Sequence, residues 1–123
     1  MQIQIKATNI ELTPAIKDYA ESRVLSLEKY LHENKEQALA LVEVGKTTSH
    51  HHKGEIFRAE ISILIQGERH YVSTEKDDLY AAIDEAKDEA AQELSRYKDK
   101  RQALMRRGRA KIKEIIKRLN WNR

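Results

Sequence analysis

Apolar and polar residues alternate strictly through Gln2-Ile3-Gln4-Ile5-Lys6-Ala7, the pattern of a strand with one buried face. Thr13-Pro14 then predicts a helix start, with Thr13 as N-cap and Pro14 at the first helical position, where its missing N–H costs nothing. Ile16, Tyr19 or Ala20, Val24, Leu27 and Leu31 recur at helical spacing, so the helix is expected to end near His32. After the polar break Glu33–Gln37, the apolar run Leu39 to Val44 reads as a central strand. Strand, helix and strand in that order imply a crossover with the two strands parallel. Gly45 to Gly54 is polar and bracketed by glycines, and is expected to be a loop. Glu55 to Ile65 gives the clearest strand, with Phe57, Ala59, Ile61, Ile63 and Ile65 on one face. A turn at Gln66-Gly67-Glu68 leads into a fourth strand over Arg69 to Thr74.

A second helix is expected from Asp77 to Lys98, with Leu79, Ile83, Ala86, Ala90, Leu94 and Tyr97 on one side and Asp77 or Thr74 as N-cap. The order β-α-β-β-β-α predicts an α+β fold of two layers: a four-stranded mixed sheet with two helices on one face and the other face open to water. Residues 1–100 form the expected domain and residues 101–123 a basic amphipathic extension. Gly108 is expected to interrupt the helical pattern. Beyond it Ile112, Ile115, Ile116 and Leu119 share a side, as in a separate short helix that docks on the domain, on a second chain or an anionic membrane, or orders against RNA.

The chain has 123 residues and a formal net charge of +3, which hides a division. From Met1 to Ser95 there are 11 Lys and Arg against 18 Asp and Glu, a net of −7. From Arg96 to Arg123 there are 12 against 2, a net of +10. So many like charges repel each other unless a polyanion or an acidic surface accepts them, and nucleic acid is the first candidate partner. No apolar run approaches a membrane span and the start lacks the plan of a signal peptide, so a cytoplasmic protein is expected. With no cysteine there are no disulfides, thiolate metal sites or thiol nucleophiles.

His50-His51-His52 is the one candidate metal group, but consecutive loop residues rarely converge on one ion. No metal or other cofactor is expected. No phosphate-binding glycine loop, nucleophile elbow or zinc-protease motif occurs, and no catalytic set presents itself. Tyr71, Tyr80 and Tyr97 can stack on bases, although such positions more often serve the core edge. The candidate phosphate contacts are therefore Arg96, Lys98, Lys100, Arg101, Arg106, Arg107, Arg109, Lys111 and Lys113. Arg23, Lys29, Lys46, His50, His51, His52, Lys53 and Lys87 form a secondary set. Contacts of this kind give affinity and salt dependence with little sequence reading, so RNA would be recognised by shape.

Four stretches are similar to one known family: Ile5-Lys6-Ala7-Thr8-Asn9-Ile10-Glu11-Leu12-Thr13-Pro14-Ala15, Leu27-Glu28-Lys29-Tyr30, Gly54-Glu55-Ile56-Phe57-Arg58-Ala59-Glu60-Ile61 and Asp78-Leu79-Tyr80-Ala81-Ala82-Ile83-Asp84. Over Ile3 to about Lys98 the chain resembles the short form of the ribosome hibernation-promoting factors, also called the ribosome-associated inhibitor or sigma-54 modulation family. The resemblance implies a fold similar to a double-stranded-RNA-binding domain with an added strand. It also implies a non-enzymatic factor that enters the decoding and mRNA channel of the small ribosomal subunit and blocks translation in stationary phase or stress. The chain departs from the family pattern at Glu89, Gln92, Glu93 and Ser95, where basic residues are usual. The 25 residues after Lys98 are too few for the separate pairing domain of long-form members.

The expected partner is thus the small ribosomal subunit, met through RNA and ribosomal proteins, with no membrane involved and a monomer when free. Two other readings compete. One is a regulatory module whose amphipathic tail docks on a protein partner. The other is a metal-dependent enzyme using His50 to His52.

Overall fold

The computed structural model describes residues 1–47 and 54–121. Strand β1 (Gln2–Thr8) leads to helix α1 (Pro14–Leu25), and two 3-10 turns (Ser26–Tyr30 and His32–Asn34) carry the chain to β2 (Leu39–Lys46). Then β3 (Phe57–Ile65) and β4 (Glu68–Lys76) form a hairpin, and a single helix α2 (Leu79–Trp121) follows. The sheet order is β1-β2-β3-β4, with β1 parallel to β2 and the other two pairings antiparallel, so the sheet is mixed as the pattern predicts.

Alternation decides which face is buried. Ala40, Val42, Val44, Ala59, Ile61, Ile63 and Ile65 point at the helices and are buried there against Ala20, Val24, Leu27, Ile83, Ala86 and Leu94. Each fully buried Leu, Ile or Val contributes about 1.5–3 kcal/mol relative to exposure. Glu43, Arg58, Glu60 and Tyr71 occupy the opposite face. There Arg58 pairs with Glu60 at 3.0 Å and Tyr71 donates to Glu60 at 2.8 Å. Ser62 on this face is buried because Arg69 folds over it and donates to its hydroxyl at 3.1 Å.

Several expected boundaries move. Thr13 caps α1 as predicted, its Oγ1 accepting from the Ile16 N–H at 3.2 Å. The helix nevertheless ends at Leu25 rather than near His32, where Ser26 Oγ turns back to donate to the Arg23 carbonyl and the chain tightens into 3-10 turns. The buried stripe survives that change, with Leu27 and Leu31 still in the core. Gly45 belongs to β2 instead of opening a loop: it pairs with Thr8 and Arg58, and any Cβ there would overlap the Thr8 carbonyl oxygen. The hairpin turn is only Gln66-Gly67, both with positive φ (50° and 77°), and Glu68 is already in β4. Helix α2 is capped by Asp78, whose Oδ2 accepts from the Ala81 N–H at 3.0 Å, one residue later than Asp77. Thr74 is buried instead, and its hydroxyl donates to the Ala82 carbonyl at 2.7 Å, tying β4 to α2. Gly108 does not interrupt the helix. At an exposed, unobstructed position a glycine costs an α-helix only about 1 kcal/mol, and α2 continues through it.

Candidate nucleic-acid interface

The apolar stripe of α2 does not stop where the domain stops. Leu79, Ile83, Ala86, Ala90, Leu94 and Tyr97 step along one side by threes and fours, and Arg101, Leu104, Gly108, Ile112, Ile115 and Leu119 continue the same row. The mean step of about 3.6 residues is that of a straight α-helix, so the row keeps one orientation along the whole element. Its first half is buried by the sheet. From Leu104 onward every side chain of known exposure is open to solvent, and Leu104, Met105, Ile112, Ile115, Ile116 and Leu119 are 52–64% exposed. At 1.5 Å per residue, the 43-residue helix is roughly 64 Å long and its uncovered part on the order of 30 Å.

The exit of the helix from the domain is fixed by the β3–β4 turn. Tyr97 packs its ring 4.6 Å from that of His70, and its hydroxyl donates to Gln66 Oε1 at 2.9 Å. Arg101 Nη1 donates to Gln66 Oε1 and, at 3.2 Å, to the Tyr97 hydroxyl. Gln66 Nε2 reaches across to Asn34 Oδ1 at 3.0 Å. One glutamine thus joins the hairpin, the 3-10 segment and α2. The Gln-Gly dipeptide announces the hairpin in the sequence, but nothing in it announces the reach of the Gln66 side chain.

The candidate phosphate contacts divide by what already holds them. Lys98, Lys100, Arg106, Arg107, Arg109, Lys111 and Lys113 form no ion pair among the described residues. Arg96 is 3.9 Å from Glu93 with its side chain 75% exposed, a loose pair. Arg101 is engaged by Gln66 and Tyr97 and serves the helix exit as well as its charge. All nine lie on one helix, and those beyond Arg101 flank its uncovered apolar row.

The secondary set is more committed. Arg23 Nε lies 2.9 Å from Asp84 Oδ1, where Tyr19 also donates at 2.6 Å, making an α1–α2 clamp. The carboxylate beside it, then burial, raises the Tyr19 phenol above its ordinary value, because ionisation would set two negative charges together. Lys46 is paired with Glu55 at 2.6 Å and Lys87 with Asp88 at 3.3 Å. Lys29 sits 5.3 Å from the Tyr30 ring centroid. His50, His51, His52 and Lys53 lie outside the described residues. Among the described residues no cluster of three His, Asp or Glu side chains is placed to hold a metal ion, and no helix is long and apolar enough to cross a membrane.

Residues 3–102 match the family model described as sigma 54 modulation protein / S30EA ribosomal protein. The chain is 31% identical over 100 residues to the ribosome hibernation promoting factor of Klebsiella oxytoca, an alignment covering 81% of this chain and 96% of that protein. Identity to the corresponding factor of Escherichia coli K12 is 29% at the same coverage. The crystal structure of the Thermus thermophilus Protein Y N-terminal domain superposes with a TM-score of 0.67 at 32% identity, covering 79% of this chain and 99% of that one. A ribosomal subunit interface protein from Coxiella burnetii shares the fold, with a TM-score of 0.60 at 18% identity over 80% of this chain and 99% of that one.

Proposed function

The chain belongs to the sigma 54 modulation protein / S30EA ribosomal protein family, and on that premise we propose that it is a ribosome hibernation factor acting without catalysis. It associates with the ribosome, through the small subunit, and occupies the decoding and mRNA channel so that translation is blocked sterically. Affinity comes from rRNA phosphates held by Arg96, Lys98, Lys100 and Arg101 at the helix root and by Arg106, Arg107, Arg109, Lys111 and Lys113 along the extension. No bond is made or broken.

The observation that carries this reading is the uncompensated charge on the extended half of α2. Eight of its nine candidate cations have no ion-pair partner among the described residues, on a helix long enough to meet several phosphates. Replacing Arg106, Arg107, Arg109, Lys111 and Lys113 by Gln should abolish co-sedimentation with small subunits at moderate salt. Undiminished co-sedimentation would sink the assignment of those residues. Capture by large subunits alone would sink the small-subunit assignment.

A second reading, docking on a protein partner, draws support from the six exposed apolar side chains of the extension. Each one a partner covers would contribute about 1.5–3 kcal/mol. Binding that persists unchanged in high salt would favour it, because apolar docking is not screened as phosphate contact is.

A further inference from the structure

Two open grooves flank the root of the extension, and they differ in charge. On one side Glu68, His70 and Glu93 face Arg96, Lys100 and Leu104, so carboxylates offset the cations. On the other, a groove of about 670 Å³ runs between the 3-10 segment and α2, lined among others by Tyr30, His32, Asn34, Gln66, Lys98 and Arg101, with Glu33 its one carboxylate. This second groove combines the features that recognise an unpaired nucleotide: an aromatic wall, fixed amides and cations. The Asn34–Gln66 hydrogen bond at 3.0 Å fixes both amides at the rim. His32 and Gln66 are two of three described non-glycine residues with positive φ (48° and 50°), so the chain accepts strained backbone on both banks of this groove.

We propose that this groove is a subsite for one unpaired ribonucleotide, its base against Tyr30, its edge on the Asn34 and Gln66 amides, and its flanking phosphates on Lys98 and Arg101. The volume suits a nucleotide, since small-ligand sites run from about 300 to 1,000 Å³. A base inside a duplex is already stacked and cannot enter, so the site makes the protein prefer single-stranded or bulged RNA to duplex of equal charge. The inference rests on the RNA-binding reading and sharpens it, because recognition by shape alone predicts no such preference.

The test is fluorescence anisotropy at low salt with a short single-stranded RNA and a duplex of the same length, alongside 2-aminopurine placed in the single strand. The full chain should bind the single strand more tightly and quench the 2-aminopurine emission. Tyr30→Leu should weaken single-strand binding by about tenfold, the scale of losing one stacked base, and leave duplex binding unchanged. The 2-aminopurine signal of the unmodified chain stands as a measure even where Tyr30→Leu perturbs folding. Equal affinity for both RNAs with unquenched emission would overturn the subsite and leave RNA binding intact. Failure to bind either RNA at low salt would overturn the RNA reading itself, and the subsite with it.

Discussion

Gly45 sits in β2 opposite Thr8 of β1, and a methyl group there would have to displace the Thr8 backbone. Gly45→Ala should therefore destabilise the protein by about 2 kcal/mol, the scale of overpacking a tight site, read as a lower urea midpoint at unchanged slope. At the α1–α2 clamp, Tyr19 has a folded pKa raised by its bond to Asp84. A raised pKa means the folded state keeps its proton longer than the unfolded one. The stabilisation is therefore full below about pH 10, the ordinary tyrosine value, and is lost as pH rises through the folded value. The stability difference between the unmodified protein and Tyr19→Phe should shrink above pH 10, measured by denaturant titration across pH 8 to 11. An invariant difference would contradict the clamp. Single residues of this kind were unevenly legible in the sequence. Thr13 as a cap follows from Thr-Pro before an apolar stripe, whereas choosing Asp78 over Asp77 or Thr74 needs the helix start to within one residue. Arg23 reads as a free cation until α2 brings Asp84 against it.

At the scale of elements, alternation and helical spacing identified all four strands and both helices, because each buries one face and must carry the matching period. Their ends were less legible. Ser26 bonding back to Arg23 shortens α1, and sheet pairing carries β2 through Gly45 to Lys46. The main surprise is α2, whose 43 residues absorb a segment that Gly108 was expected to separate. Beyond Gln102 that helix makes no hydrogen bond to the rest of the fold among the described residues, and an isolated helix of some 20 residues is marginal in water. Backbone amides from Met105 onward should therefore exchange with solvent orders of magnitude faster than those of Ile83 to Leu94, read by hydrogen exchange. Nothing lies within 4 Å of a Cβ added at Gly108, so Gly108→Ala should gain about 1 kcal/mol of local helix stability and raise the far-ultraviolet helical signal. An unchanged signal would mean that the extension is already held by something other than its own backbone.

The whole molecule separates folding from charge. Residues up to Leu94 supply the buried core and carry a net of −7 through Ser95, while the helix beyond carries nearly all the surplus positive charge. An acidic body steers the protein away from polyanions except along one rod, which gives the rod its direction of approach. That division was legible from residue counts alone. The single continuous line from core stripe to basic extension, and the groove at its root, were not, because they arise from Gln66, Asn34 and Tyr97 meeting across distant elements. In the proposed function the extension binds by phosphate contact. The direct measurement is the dependence of ribosome affinity on salt, for the full chain and for the variant with Gln at positions 106, 107, 109, 111 and 113. Each lost phosphate contact should lower the slope of log K against log salt by about 0.7 to 0.9, so a fall of roughly three to five is expected. An identical slope in the two proteins would contradict it.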